Sequence, residues 1–170
     1  IPMSAAIIRG DMYAAMVEQT AEVGVFGHGY TYSGHPVACA VALKTIEIYQ
    51  RDHLFAHAAK IGEYLHKCLQ TFNNHPLVGE VRGKGMLAAI ELVANKRTGK
   101  AFSNGAVGAF AVLSCQGHGL IIRAVAGSSL ALCPPLIISE QQVDEIIKKM
   151  GLALDETLVF VMKEQLLETY

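Results

Sequence analysis

A chain of 170 residues is long enough to enclose a hydrophobic core, and a composition 52% apolar and 17% charged argues against disorder. The formal net charge of -1, with the charges scattered singly, gives no electrostatic case for nucleic acid or an anionic membrane surface. No apolar run is long enough to span a bilayer and no signal-peptide pattern is visible, so the expectation is a cytoplasmic protein with no membrane contact.

Four widely spaced cysteines, Cys39, Cys68, Cys115 and Cys133, form no C-x-x-C pair and lie in apolar settings. They read as reduced, buried thiols. The chain opens Ile1-Pro2-Met3 and enters an apolar run at once, which reads as a start in the middle of a fold.

The run at 1–8 is short enough for a buried strand. Asp11 is a fair N-cap for a helix over 12–19. The stretch FGHGYTYSGHP at 26–36 follows, and the helix it introduces runs over 36–51. Pro36 suits the first helical position. Only Lys44, Glu47 and Arg51 make a polar stripe on that helix, so it is expected to be buried on several sides. A second helix over 54–72 places Leu54, Ala58, Ile61, Leu65, Leu69 and Phe72 on one face, opposite Lys60, Glu63 and Lys67.

Strands over 77–82 and 86–93 meet at Gly83-Lys84-Gly85 in a hairpin-type connection. A loop over 95–104, with a solvated turn at Lys96 to Lys100, leads to a helix over 106–116. Strands over 120–126 and 130–133 flank the turn at Gly127-Ser128, and Pro134-Pro135 stops the second. Ser139 and Gln142 form a capping box that starts the last helix, in which Val143, Ile146, Ile147, Met150 and Leu154 share a face. From residue 54 onward this is an α+β unit with a mainly antiparallel sheet.

Two places carry chemistry. In 26–36, small and hydrogen-bonding residues stand just before a helix N-terminus, where open N–H groups favour an anion. The hydroxyl of Thr31 is a phosphate donor there, or it closes a local turn. Arg123 lies inside the apolar LIIRAVA and shares a strand face with Ile121 and Val125. A guanidinium in such a place needs an anion, either an internal partner such as Glu91 or a substrate carboxylate. His53 and His57 stand four apart without a third ligand at useful spacing, so no metal site is expected. No G-x-S-x-G or dinucleotide fingerprint is present.

FGHGYTYSGHPVACAVAL resembles the signature loop and helix of class III aminotransferases, the ω-transaminase branch of fold-type I enzymes that use pyridoxal 5'-phosphate (PLP). The resemblance continues through HPLVGEVRGKGMLAAIEL and GLIIRAVAGSSLALCPPLIIS. It implies an α/β to α+β fold: the end of the large PLP-binding domain at 1–35, an inter-domain helix at 36–52, and a small C-terminal domain with an antiparallel sheet at 53–170. Thr31, with Tyr30 beside it, is similar to the pair that reaches the PLP phosphate of the neighbouring subunit. Arg123 is similar to the mobile arginine that binds the substrate carboxylate.

The implied activity is transfer of an amino group from an amine or ω-amino acid to a keto acid such as pyruvate. The implied assembly is a homodimer with shared active sites, or a tetramer. The family's Schiff-base lysine is expected just before Ile1, so no catalytic residue is assigned in this chain. An aminomutase or decarboxylase of the same superfamily, and a non-catalytic α+β oligomerisation module, are the alternatives.

Overall fold

The computed structural model describes residues 1–167. The chain divides into two compact units, one over residues 1–52 and one from His53 onward.

The first unit contains two helices. Residues 1–9 form neither helix nor strand, contrary to the strand expected at 1–8. A strand needs a ladder partner for its N–H and C=O groups, and the described residues of this unit provide none. Arg9 stands at the N-cap position of helix α1 (Gly10–Val23) without a side-chain capping bond, and Asp11 sits in the first turn rather than at the cap. There Asp11 complements the helix dipole and pairs with Arg9 at 2.8 Å. The helix runs past the expected stop at 19 and ends at Gly24, whose φ of 88° only glycine adopts readily.

Helix α2 (Pro36–Arg51) begins on Pro36 as the sequence indicates. No residue of α1 or α2 is buried, which corrects the expectation for α2. Leu43 is 70% exposed and Ile46 52%. The apolar pattern specifies a face to be covered, and a unit this small has too little surface of its own to cover it.

The second unit holds the core. Its helix α3 (Leu54–Leu69) starts after His53, which takes a left-handed conformation (φ 50°), and it tightens into a 3-10 turn at Gln70–Asn74. The sheet comprises β1 (Val78–Lys84), β2 (Leu87–Asn95), the two-residue β3 (Lys100–Ala101), β4 (Arg123–Val125) and β5 (Ser129–Leu132). All pairings are antiparallel. The spatial order is β1-β2-β5-β4, with β3 also on β2. Helices α4 (Ala106–Gly117) and α5 (Glu140–Lys163) complete the unit.

The strand over 120–126 is shorter than expected, three residues only, because Leu120 bonds back to Cys115 at the end of α4 (2.8 Å) instead of joining the ladder.

Alternation along the strands divides the sheet into two faces. Val81, Ile90 and Leu130 fall in one cross-strand row with Ala124 and face the helices. They join Leu65 and Leu69 of α3, Val107 and Ala111 of α4, and Val143, Met150 and Leu154 of α5 in one core. The capping box of α5 forms as read from sequence: Gln142 N donates to Ser139 Oγ (3.2 Å), and Ser139 N donates to Gln142 Oε1 (3.0 Å). Of the four free cysteines only Cys115 is buried. Cys39 and Cys68 are half-buried and Cys133 is exposed, which corrects the reading of four buried thiols.

Candidate active site

The loop at 24–35 is ordered by its own turn. Ser33 N donates to Tyr30 O (2.9 Å), Tyr30 N donates to Ser33 Oγ (3.1 Å), and His35 N donates to Tyr32 O (3.2 Å). Gly34 supplies the left-handed φ of 70° that turns the chain into α2. His35 stacks on Tyr32 with ring centroids 5.4 Å apart.

Ser33, not Thr31, closes this turn. The Thr31 side chain forms no hydrogen bond among the described residues, and both Thr31 and Tyr30 are exposed. The N-terminus of α2 has no side-chain cap and no acidic residue in its first turn. Beside it, still within the first unit, a cavity of about 760 Å3 is lined by Tyr30, Tyr32, Ser33, His35 and Val37 together with residues 1–4. Thr31 does not line it. Tyr30 therefore bridges the turn and the cavity, while Thr31 presents its hydroxyl on the turn itself.

The second unit positions Arg123 by register. On the sheet face away from the helices, Arg82, Ala89, Ala131 and Arg123 form one cross-strand row, one residue from each of β1, β2, β5 and β4. Three strand intervals separate the two arginines, about 14 Å at the usual spacing. The next row is Glu80, Glu91, Ser129 and Val125. Two alanines lie between the guanidiniums, so this face is open along the row.

The two arginines have different surroundings. Arg82 donates to Glu91, to Glu80 (2.9 Å) and to Ser129 Oγ (3.5 Å). Glu91, the internal partner considered for Arg123, is held by Arg82 instead. Arg123 is exposed and makes no hydrogen bond or ion pair among the described residues. Sequence reasoning missed Arg82. The signal was its spacing of two from Glu80 on one strand, but its pairing with Glu91 depends on the hairpin register.

The two histidines four apart do not act together. His53 is the left-handed N-cap of α3, and His57 Nε2 donates to the Ile138 carbonyl at 2.9 Å. Among the described residues no group of three His, Cys, Asp or Glu is placed to hold a metal.

Residues 1–154 match the family model for class-III aminotransferases. The chain belongs to the class-III aminotransferase family. It is 43% identical over 163 residues to the putrescine–pyruvate aminotransferase of Pseudomonas aeruginosa, covering 95% of this chain and 35% of that protein. It is 36% identical over 158 residues to the chloroplastic gamma aminobutyrate transaminase 3 of Solanum lycopersicum, covering 92% of this chain and 30% of that protein. Among solved structures, the ω-transaminase of Pseudomonas jessenii in complex with PMP superposes with a TM-score of 0.83 at 42% identity, over 91% of this chain and 34% of that one. The class-III chain thus spans about a third of the length of the curated relatives it matches.

Enzymes of this family depend on PLP, and the mixed helix and antiparallel sheet of the chain are consistent with fold type I. The first unit fits the phosphate of that cofactor. A Thr31 hydroxyl uncommitted within the turn and an α2 N-terminus with no competing carboxylate are the donors an anion requires.

Proposed function

We propose that this chain forms part of a PLP-dependent aminotransferase that moves an amino group from an amine or ω-amino acid to a keto acid such as pyruvate. The observation that carries the reading is Arg123: an exposed guanidinium on an ordered strand, with Glu91, the internal counter-ion considered for it, engaged by Arg82. A substrate carboxylate supplies the missing anion through paired N–H···O bonds. Flanked on its own sheet face by Ala131 and Val125, the same surface accepts a carboxylate-free amine by apolar contact once the guanidinium turns aside.

When bound, PLP supplies the carbonyl carbon that takes up the amino group and the electron sink for the reaction. The chain's own residues position it. The Thr31 hydroxyl and the N–H groups at the start of α2 hold the phosphate, and Tyr30 walls the adjoining cavity. Their exposure supports a phosphate presented by a second subunit of a homodimer. The first unit's uncovered apolar residues support the same assembly, with α2 leading from the end of the large domain to the small domain. The Schiff-base lysine that moves the proton lies outside these residues, in the remainder of a longer enzyme.

The test is Arg123→Ala in the natural gene product, whose intact mass is measured first. A mass far above 18.3 kDa supports the reading as part of a larger enzyme. Loss of keto-acid use much greater than loss of simple-amine use supports Arg123 as the carboxylate ligand; equal losses on both remove that role. Thr31→Ala is expected to weaken retention of PLP, read as its dissociation constant. Unchanged retention counts against the phosphate assignment.

A further inference from the structure

Strand β4 is three residues long and is paired on one side only, to β5. Its height above the helices is set by α4. A Cβ built on Gly108 of α4 would lie 2.3 Å from the Gly127 carbonyl oxygen, 3.1 Å from Ser128 Cα and 3.2 Å from Ala124 Cβ. The first distance is far inside van der Waals contact and involves backbone, so it has no side-chain escape. Gly105, one turn earlier, meets the same carbonyl only at an ordinary 3.7 Å. Gly108 is therefore the point where the β4–β5 turn rests on α4.

The turn itself has little give. Ala126 and Gly127 both have left-handed backbones (φ 47° and 85°), and the Ser128 carbonyl accepts from Leu92 N at 3.1 Å. A push from residue 108 passes into β4, which is anchored on one side and carries Arg123 next to Ala124.

We infer that Gly108 is a positioning residue for carboxylate specificity: the missing side chain lets β4 sit at the height from which Arg123 reaches a substrate carboxylate. This rests on the role given to Arg123 above. It concerns a residue buried under the sheet, away from substrate, whose effect is confined to substrates that bear a carboxylate.

The experiment compares the full-length enzyme with Gly108→Ala, with Ala124→Val, which enlarges the other side of the same contact, and with Gly151→Ala as a control. A Cβ at Gly151 in α5 meets only a Phe72 ring carbon, at 3.6 Å. Steady-state kinetics are measured with a keto acid and with a carboxylate-free amine, alongside the dissociation constant of an unreactive carboxylate that competes with the keto acid. In Gly108→Ala and Ala124→Val the keto-acid KM and the competitor's dissociation constant are expected to rise roughly tenfold to a hundredfold, as misplacement of a binding group does. The amine KM and kcat stay near the parent values, and Gly151→Ala changes neither ratio.

Proportional losses on both substrates in folded, PLP-retaining variants overturn the inference, as does failure of both to fold, which assigns the contact to stability alone. Arg123→Ala separates the two levels. If it is not selective, the carboxylate role itself fails; if it is selective while Gly108→Ala and Ala124→Val are not, only the role of Gly108 fails.

Discussion

Arg82 reaches across the β1–β2 pair to Glu91 and thereby leaves Arg123, in the same cross-strand row, with no counter-ion among the described residues. The two guanidiniums look alike in sequence and differ in commitment. The first is structural, and the second is available to a ligand.

That difference is measurable in stability. Arg82→Ala breaks a partly exposed network with Glu80, Glu91 and Ser129. It is expected to cost up to about 1 kcal/mol, the upper end for exposed pairs. Arg123→Ala removes no internal partner and is expected to stay within about 0.5 kcal/mol of the parent. Urea unfolding of both variants checks this, and equal destabilisation would show that Arg123 has a structural partner after all.

Ala126 occupies a left-handed backbone without being glycine. The conformation costs an L-residue about 1–2 kcal/mol, and the added freedom of glycine in the unfolded chain returns about 0.4–1 kcal/mol of that. Ala126→Gly is therefore expected to stabilise the protein by about 0.5–1 kcal/mol. A thermal melt that moves downward would mean that the Ala126 methyl packs more favourably than the strain it carries.

His75 gives the second unit a dependence on pH. Burial, the dominant cause, holds its pKa below the usual 6.5, and nearby Lys96 acts in the same direction. Asp155, 3.5 Å away, opposes both. The unfolded chain thus takes up the proton first as pH falls through about 6.5, and stability declines with acidification below that value. Above it both states are neutral at this residue and the contribution is flat. His75→Asn, which keeps an acceptor for Leu77 N, is expected to flatten the slope of urea midpoint against pH below about 6.5. An unchanged slope would assign the acid sensitivity to other groups.

Cys115 has its thiol pushed up to about 11 by burial, with the Glu156 carboxylate adding to the effect. The thiolate is the nucleophile, so this cysteine is expected to resist iodoacetamide at neutral pH in the native protein and to react once denatured. Mass spectrometry of the peptide carrying it, before and after denaturation, decides the point.

Features fixed by local chemistry were legible in the sequence. Pro36 starts α2, Ser139 and Gln142 cap α5, and the periodic face from Leu54 to Leu69 is the buried side of α3. Features that depend on what lies opposite were not. The apolar run at 1–8 looked like a strand because periodicity says nothing about a missing ladder partner. The exposure of α2 has the same cause, since a periodic apolar face does not say what covers it. Thr31 and Arg123 stand out in the sequence because each is chemically out of place, a hydroxyl in a glycine-rich loop and a charge in an apolar strand, and the structure leaves both exposed. Arg82 was hidden because its meaning lies in register, which sets Ala89 opposite it and Glu91 diagonally across, within reach of its guanidinium.

β4 ends the ladder order, so one side of Arg123–Val125 presents backbone N–H and C=O groups that no neighbouring strand of the described residues takes up. A bare edge of this kind invites another chain to add itself as the next strand. Its brevity and its charge discourage that, because a strand docking there would have to desolvate the guanidinium. Arg123 thus guards the edge against a further strand, a role set by its place in the sheet and independent of any ligand. A wholly apolar replacement at this position unblocks the edge, so a variant carrying one inherits a tendency to self-associate.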